Sequence, residues 1–191
     1  MEINNEKLTE YFNDIKEKSE IFSDMVNKVV LSYSGDLDAL MDDLKVALTQ
    51  PDAISTDGLE RYYAELSNLI YFMADKVEKL NVFSDMSKAT AKEAYNKAYL
   101  AVSTEKDEKG KSVRTVAENT ALAESDSQYE STINTIYNHA YKTLQMKIDF
   151  ASEMVSTLKH ILKRRVQEEY MNFTLSNMKN NVMPNPFNEE K

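Results

Sequence analysis

The sequence of 191 residues contains no cysteine and no tryptophan, and only three glycines and three prolines. Without cysteine there are no disulfides, no thiol nucleophiles and no thiolate metal ligands, and the composition fits a reducing compartment. A fold built from sheets and tight turns needs many more glycines and prolines than this. The sequence therefore predicts an all-α protein.

Long apolar runs are also missing. No stretch of about 18 apolar residues occurs, so no transmembrane helix and no membrane partner are predicted. The first six residues lack the basic start and apolar centre of a signal peptide. Hydrophobic residues still make up 42% of the chain, which is enough for a core. We expect a soluble, cytoplasmic protein, located in the host-cell cytoplasm if it is encoded by a phage.

The net charge of −9 is unevenly distributed. Residues 1–60 hold five lysines and arginines against fourteen aspartates and glutamates, whereas residues 61–191 hold eighteen of each sign. An ordinary solvated pair of acidic helices explains this pattern. It is also typical of a chain whose second half approaches a polyanion, or whose acidic first half covers a basic surface on a partner.

The most regular pattern runs from Tyr129 to Val166, where apolar residues recur at steps of three and four. Such spacing is typical of one face of a continuous helix, which over this length spans roughly 55 Å. Either other helices of the chain or other copies of it must cover so long a stripe. The pattern predicts an elongated helical bundle with one long C-terminal helix, and it favours a coiled-coil homo-oligomer.

About five helices are predicted in all. Ser34-Gly35-Asp36 resembles a helix stop followed by an N-cap, so residues 1–50 are predicted to form an acidic helical hairpin. The proline- and glycine-containing stretch 51–58 is predicted to be a linker.

The remaining residues divide into a helical core at 57–169 and a flexible tail at 170–191. In the core, one helix is expected from about Asp57, and a second after a cap at Ser84 or Asp85. The long helix is expected at 112–169, and the pattern leaves open whether residues 112–166 form one helix or two.

The sequence contains no recognisable catalytic or metal-binding motif. The glycines stand alone, so no phosphate-binding loop is predicted. His139 and His160 are 21 residues apart on one predicted helix, about 31 Å at helical rise, which is too far for a shared metal. The paired carboxylates lack the Glu-x-x-His companion of di-iron bundles. We expect no enzymatic activity and no cofactor.

The strongest functional signal is the basic character of the long helix. Over residues 142–165 the only acidic residues are Asp149 and Glu153, and Tyr137 and Tyr141 lie just before as candidate stacking surfaces. Basic residues near a helix C-terminus also complement its dipole, and that alternative stays open. The candidate nucleic-acid-binding residues are Lys142, Lys147, Lys159, Lys163, Arg164 and Arg165.

The order of these features resembles the phage recombination mediators of the UvsY type. The match is a pattern of residue types and spacings over a span of about 105 residues. The similar segments within this span are Arg61–Leu66, Ala91–Ala98, Glu118–Asp126, Tyr137–Tyr141 and Lys159–Arg165. The acidic residues 1–60 depart from that family. The resemblance implies a ring-forming helical oligomer that binds single-stranded DNA and helps to load a recombinase in competition with a single-strand binding protein.

Three hypotheses therefore stand. The first is a non-catalytic recombination mediator that binds single-stranded DNA. The second is an acidic helical inhibitor, of the anti-defence or anti-CRISPR kind, that blocks a basic nucleic-acid-binding groove of a host nuclease. The third is a structural component of a phage or coiled-coil assembly.

Overall fold

The computed structural model describes residues 5–50, 54–106 and 108–180, with side chains over 9–50, 54–106 and 108–176. This part of the chain contains four helices and no strand, which confirms the all-α class but gives four helices instead of about five. The helices are α1 (Asn5–Leu48), α2 (Thr56–Ser103), α3 (Val116–Asp126) and α4 (Gln128–Asn180).

Helix α1 runs without a break through Gly35, so the predicted hairpin at residues 1–50 is wrong. An internal glycine costs a helix only about 1 kcal/mol relative to alanine. The apolar stripe continues in register on both sides of it, with Val30 and Leu37 both buried. The free energy gained by burying that stripe outweighs the helix-breaking tendency of Gly35.

Helix α2 is likewise continuous where two helices were predicted. It begins one residue before the expected Asp57, with the Ser55 side chain accepting a hydrogen bond from the Gly58 backbone N–H at 3.1 Å. Ser84, the predicted cap, lies inside the helix and is buried. Its small side chain permits close helix contact, so it serves packing instead of helix initiation.

The segment predicted as one or two helices over 112–169 is two. Helix α3 starts at Val116 with a capping box between Thr115 and Glu118 and ends at Asp126. Ser127 is the single residue that separates it from α4. Helix α4 extends to Asn180, so residues 170–180 of the predicted flexible tail are helical. The rest of that tail, 181–191, lies outside the described residues.

Contacts between the helices define the topology. Thr56 at the start of α2 donates a hydrogen bond to Glu169 late in α4, whereas Phe83 further along α2 contacts Tyr137 early in α4. Helices α2 and α4 are therefore antiparallel. Helix α1 runs antiparallel to α2 and parallel to α4, because Phe22 lies against His139 and Asp38 contacts Lys147.

The core lies between α1, α2 and α4, and its buried residues recur every seven positions. This spacing is typical of coiled-coil packing, here between helices of one chain. The series are Val30, Leu37 and Leu44 in α1; Leu59, Leu66, Met73 and Leu80 in α2; and Leu144, Ala151 and Leu158 in α4.

From Ile136 to Leu162 the stripe on α4 is thus covered by helices of the same chain, whereas its ends at Tyr129 and Val166 are exposed. The length of that stripe was the reason for expecting coiled-coil contact between copies, and this reason does not hold. The homo-oligomer stays a prediction, and contact between copies would have to use a different surface.

Candidate nucleic-acid interface

All six candidate basic residues lie on α4, but they point in different directions. Their spacing along the helix, relative to the buried stripe, decides which of them face the core and which face solvent. Four are exposed, namely Lys142, Lys159, Lys163 and Arg164, whereas Lys147 and Arg165 are half-buried against other parts of the chain.

Lys147 is held in a polar cluster between α1 and α4. Its ammonium group donates to both carboxylate oxygens of Asp38, at 2.5 and 2.6 Å, and lies 3.3 Å from the hydroxyl of Ser34. The fully buried Ser34 donates in turn to Asp38 at 2.7 Å. Lys147 therefore neutralises a carboxylate inside the bundle, and we do not expect it to contact a phosphate.

Arg165 also has a structural partner. Its Nη1 donates to the backbone carbonyl of Ile54 at 2.5 Å, immediately before the residue that caps α2. The half-buried Ile54 precedes the helix, and the planar guanidinium supplies a donor for its carbonyl from the neighbouring helix. This contact ties the start of α2 to α4.

The remaining basic residues at the C-terminal end form an exposed group, Lys159, His160, Lys163 and Arg164, which we call the basic cluster. They lie within six successive positions, about 8 Å of helix. Neither Lys159 nor Lys163 has an ion-pair partner among the described residues, and Arg164 makes only an exposed contact of 3.6 Å with Glu168. Exposed pairs of this kind contribute about 0–1 kcal/mol, so exchange of Glu168 for a phosphate is easy.

Lys142 is exposed but does not belong to the basic cluster. It precedes Lys159 by 17 residues, about 25 Å along the helix. The exposed carboxylates of Asp149 and Glu153 lie in the interval. The exposed basic residues predicted from the sequence therefore form an isolated lysine and a compact cluster, and not a continuous basic surface along the helix.

The aromatic residues also differ from the sequence expectation. Tyr137 and Tyr141 are half-buried and pack against the core, with the Tyr137 ring 5.9 Å from that of Phe83. They are poorly placed to stack on bases. Tyr170 and Phe173 are strongly exposed instead, and Tyr170 is only about 9 Å of helix from Arg164.

The site predicted from the sequence does not include these two aromatic residues, because the prediction assigns the segment after residue 169 to the flexible tail. The available signal was the step of three and four residues that continues from Val166 through Tyr170 to Phe173. Because Asn and Thr surround them, composition masked the periodicity. Together with the basic cluster they place cationic and aromatic groups on one end of α4.

Other kinds of site find no support in the described residues. They contain no group of three or more metal-ligating side chains, and His139 makes an edge contact with Phe22 at 5.8 Å between ring centroids. Among the same residues, no helix combines the length and the apolar character that crossing a bilayer requires. The basic cluster with its aromatic neighbours is thus the best candidate site.

Comparison of the chain with protein-family models, with curated proteins and with solved structures finds no match. The likeness to UvsY-type mediators accordingly stays at the level of residue pattern. What the site does must be inferred from its own chemistry.

Proposed function

We propose that this protein is a non-catalytic recombination mediator that binds single-stranded DNA through the basic cluster on α4. The observation that carries the proposal is the exposure of Lys159, Lys163 and Arg164 at the end of a rigid bundle, without a strong internal partner. Cations of this kind bind the phosphate backbone independently of sequence. They are the electrostatic part of a single-strand site.

The exposed rings of Tyr170 and Phe173 supply the second part. Single-stranded nucleic acid presents unpaired bases that stack on aromatic side chains, each worth about 1–3 kcal/mol by alanine substitution. In a duplex those bases are already stacked on each other. A cluster that combines phosphate contacts with exposed rings therefore favours single strands.

The proposed role of the complex with single-stranded DNA is based on the resemblance to UvsY-type mediators. A protein that holds single-stranded DNA without chemistry is suited to help a recombinase displace a single-strand binding protein. In the proposal, a recombinase and a single-strand binding protein are the protein partners, and a homo-oligomer presents several basic clusters to one strand.

The test is a salt titration of binding to a fluorescent single-stranded oligonucleotide. Three phosphate contacts give a slope of log affinity against log salt of about −2 per chain, because each releases roughly 0.7 counterion. The triple variant Lys159→Gln, Lys163→Gln and Arg164→Gln should bind more weakly to every oligonucleotide and show a flatter slope. Glutamine keeps helix propensity, so helicity should not change.

A matched control removes three exposed lysines from α2: Lys88→Gln, Lys92→Gln and Lys97→Gln. This variant has the same net charge as the cluster variant. Equal loss of affinity in both variants would show that only overall charge matters, and unchanged affinity in the cluster variant would remove the cluster from the site. Absence of binding by the parent protein would refute the proposed function.

A further inference from the structure

The first described part of α1 runs beside the bundle without being buried by it. Every residue from 9 to 21 is exposed, and Phe22 is the first described residue of α1 that packs on the core. Helix α1 is parallel to α4, and Phe22 lies at the level of His139. Segment 9–21 therefore lies level with residues 128–138 of α4 and with residues 84–103 of α2.

A cavity of about 610 Å³ opens at this level, between α1, α2 and the start of α4. Phe22 of α1, Tyr95 of α2 and Glu124 of α3 contribute to its walls, together with polar side chains around the start of α4. The volume falls within the roughly 300–1,000 Å³ that is typical of binding clefts. The space beside segment 9–21 is therefore large enough to receive several side chains of another molecule.

Segment 9–21 directs an apolar stripe towards this space. Ile15 and Phe12 precede the buried Val26 by eleven and fourteen residues, so at about 100° per residue they lie within about 20° and 40° of its direction. Val26 faces the core, and the other two therefore face the same side of α1. They are nevertheless 45% and 66% exposed. The stripe is aimed at α2 and α4 but is not covered by them.

The opposite wall of the cavity is polar and offers mainly hydrogen-bond acceptors. The hydroxyls of Ser127, Thr132 and Thr135 donate to backbone carbonyls four residues earlier, at 2.7–2.9 Å. Their oxygens can therefore act towards the cavity only as acceptors. Glu124 adds a carboxylate, and no lysine or arginine is among the described residues that line the cavity. Cationic donors complement such a wall, whereas the apolar stripe of segment 9–21 does not.

Net charge extends this preference to the whole end of the bundle. Residues 9–24 and 84–138 carry fourteen carboxylates and nine lysines and arginines, a net charge of −5. Carboxylates occur on both sides of the cavity, for example Asp14 and Glu17 on α1 and Glu124 on α3. The field at this end attracts a basic partner and repels an acidic one.

We propose that the cavity and the apolar stripe of segment 9–21 together bind a basic amphipathic helix of a partner protein. The apolar side chains of that helix, three and four residues apart, pack on Phe12, Ile15 and Phe22. Its lysines or arginines reach Glu124 and the hydroxyl oxygens around the start of α4. The 13 residues of segment 9–21 form about 20 Å of helix, which offers contact to between three and four turns of the partner.

The inference does not rest on DNA binding. The cavity lies about 30 Å along α4 from the basic cluster, and the test contains no DNA. Failure of one proposal therefore leaves the other standing.

Three fluorescent peptides of about 18 residues, or roughly five turns of helix, serve as probes. The first has leucines at steps of three and four and lysines elsewhere, the second has the same composition in an order that scatters the leucines, and the third has glutamates in place of the lysines. Fluorescence anisotropy measures the affinity of the full-length protein for each. We expect the first peptide to bind about tenfold or more tightly than the second, and the third not to bind.

Variants of the apolar stripe test the contact with segment 9–21. The double variant Phe12→Gln with Ile15→Gln should bind the basic amphipathic peptide about tenfold or more weakly, because aromatic and aliphatic anchors carry most of the affinity of such interfaces. The control Leu31→Gln with Val46→Gln removes two exposed apolar side chains from another part of α1 and should bind as the parent does. All four positions are exposed, so helicity should not change.

A second pair of variants tests the charge. Glu124→Gln should weaken binding of the same peptide about threefold at low salt, and the difference should fade as salt is raised. The matched control is Glu60→Gln, which removes an exposed carboxylate near the other end of α2 and should have no effect.

The absence of cysteine allows the position of the peptide to be measured directly. Ser131→Cys places one thiol on the exposed wall of the cavity, and Glu60→Cys places one far from it. We expect the basic amphipathic peptide to slow alkylation of the first thiol several-fold and to leave that of the second unchanged.

Several results would overturn the inference. Absence of binding by the basic amphipathic peptide would refute it, and equal affinity for the reordered peptide would show that only net charge matters. Unchanged affinity in the variant Phe12→Gln with Ile15→Gln would exclude segment 9–21 from the site. Slow alkylation of Ser131→Cys without peptide would show that segment 9–21 closes on its own bundle, and alkylation that the peptide does not slow would place the peptide elsewhere.

Discussion

Replacing Lys147 by methionine tests whether this residue stabilises the bundle or contacts DNA. The substitution keeps most of the side-chain stem and removes the ammonium group, which leaves the Asp38 carboxylate with the Ser34 hydroxyl as its partner. Exposed ion pairs contribute about 0.2–1 kcal/mol. Removal of one partner from a fully buried pair costs about 3–5 kcal/mol.

The Lys147–Asp38 pair lies between these limits. The two side chains are 33% and 32% exposed, so water screens part of the interaction but cannot replace both hydrogen bonds. We expect Lys147→Met to lower the free energy of unfolding by about 1.5–2.5 kcal/mol, between the exposed and the buried case. Asp38→Asn should cost a similar amount.

The assay is urea denaturation of the parent, the two single variants and the double variant. The two losses should not add, because each substitution removes the same contact, and a coupling energy of about 1–2 kcal/mol is expected. Lys147→Met should leave the affinity for single-stranded DNA unchanged under conditions in which it is folded. A coupling below about 0.3 kcal/mol, within the usual error of additivity, would refute the reasoning. A loss of DNA affinity without loss of stability would return Lys147 to the binding site.

Two further predictions concern α1 and α3. Gly35→Ala should raise the free energy of unfolding by about 0.5–1 kcal/mol, because a Cβ at this position meets nothing within 4 Å and alanine favours the helix. Urea denaturation measures the change. A lower free energy of unfolding in the variant would mean that the fold requires glycine at this position. Hydrogen bonds from the Thr115 backbone N–H and hydroxyl lower the pKa of Glu118 in the folded protein. The contribution of Glu118 to the free energy of unfolding is therefore complete above its unfolded pKa, and it disappears as pH falls through the lower folded pKa. The parent should therefore be more stable than Glu118→Gln near neutral pH, and the difference in stability should shrink below about pH 4.3. Thermal melts over a range of pH measure this difference. A difference that does not change with pH would contradict the prediction.

The helical class could be predicted because the stripes are long and regular, whereas the helix boundaries depended on local signals that packing overrode. Ser34-Gly35-Asp36 has the composition of a stop, yet Ser34 is buried and bonded to Asp38 one turn later on the same helix. Ser84 likewise has the chemistry of a cap and the position of a packing residue. In both cases the cost of a poor helix former is about 1 kcal/mol or less, which is small against a buried stripe.

The candidate site could be predicted only as a group of basic residues on one helix. Sequence spacing places Arg165 beside Arg164, but it does not show that the carbonyl of Ile54 lies within reach of one and not of the other. The partner of Lys147 is Asp38, more than a hundred residues away. Which cations are free is decided by tertiary contacts, and those are not encoded in local periodicity.

The placement of charge explains how an acidic chain retains a usable basic surface. The exposed acidic segment 9–21 ends at Phe22, which lies at the level of His139. His139 is 20 residues, or about 30 Å of helix, from Lys159. At physiological ionic strength interactions between exposed charges are largely screened beyond about 8 Å, so we expect the carboxylates of residues 9–21 not to weaken phosphate binding at the basic cluster of the same chain.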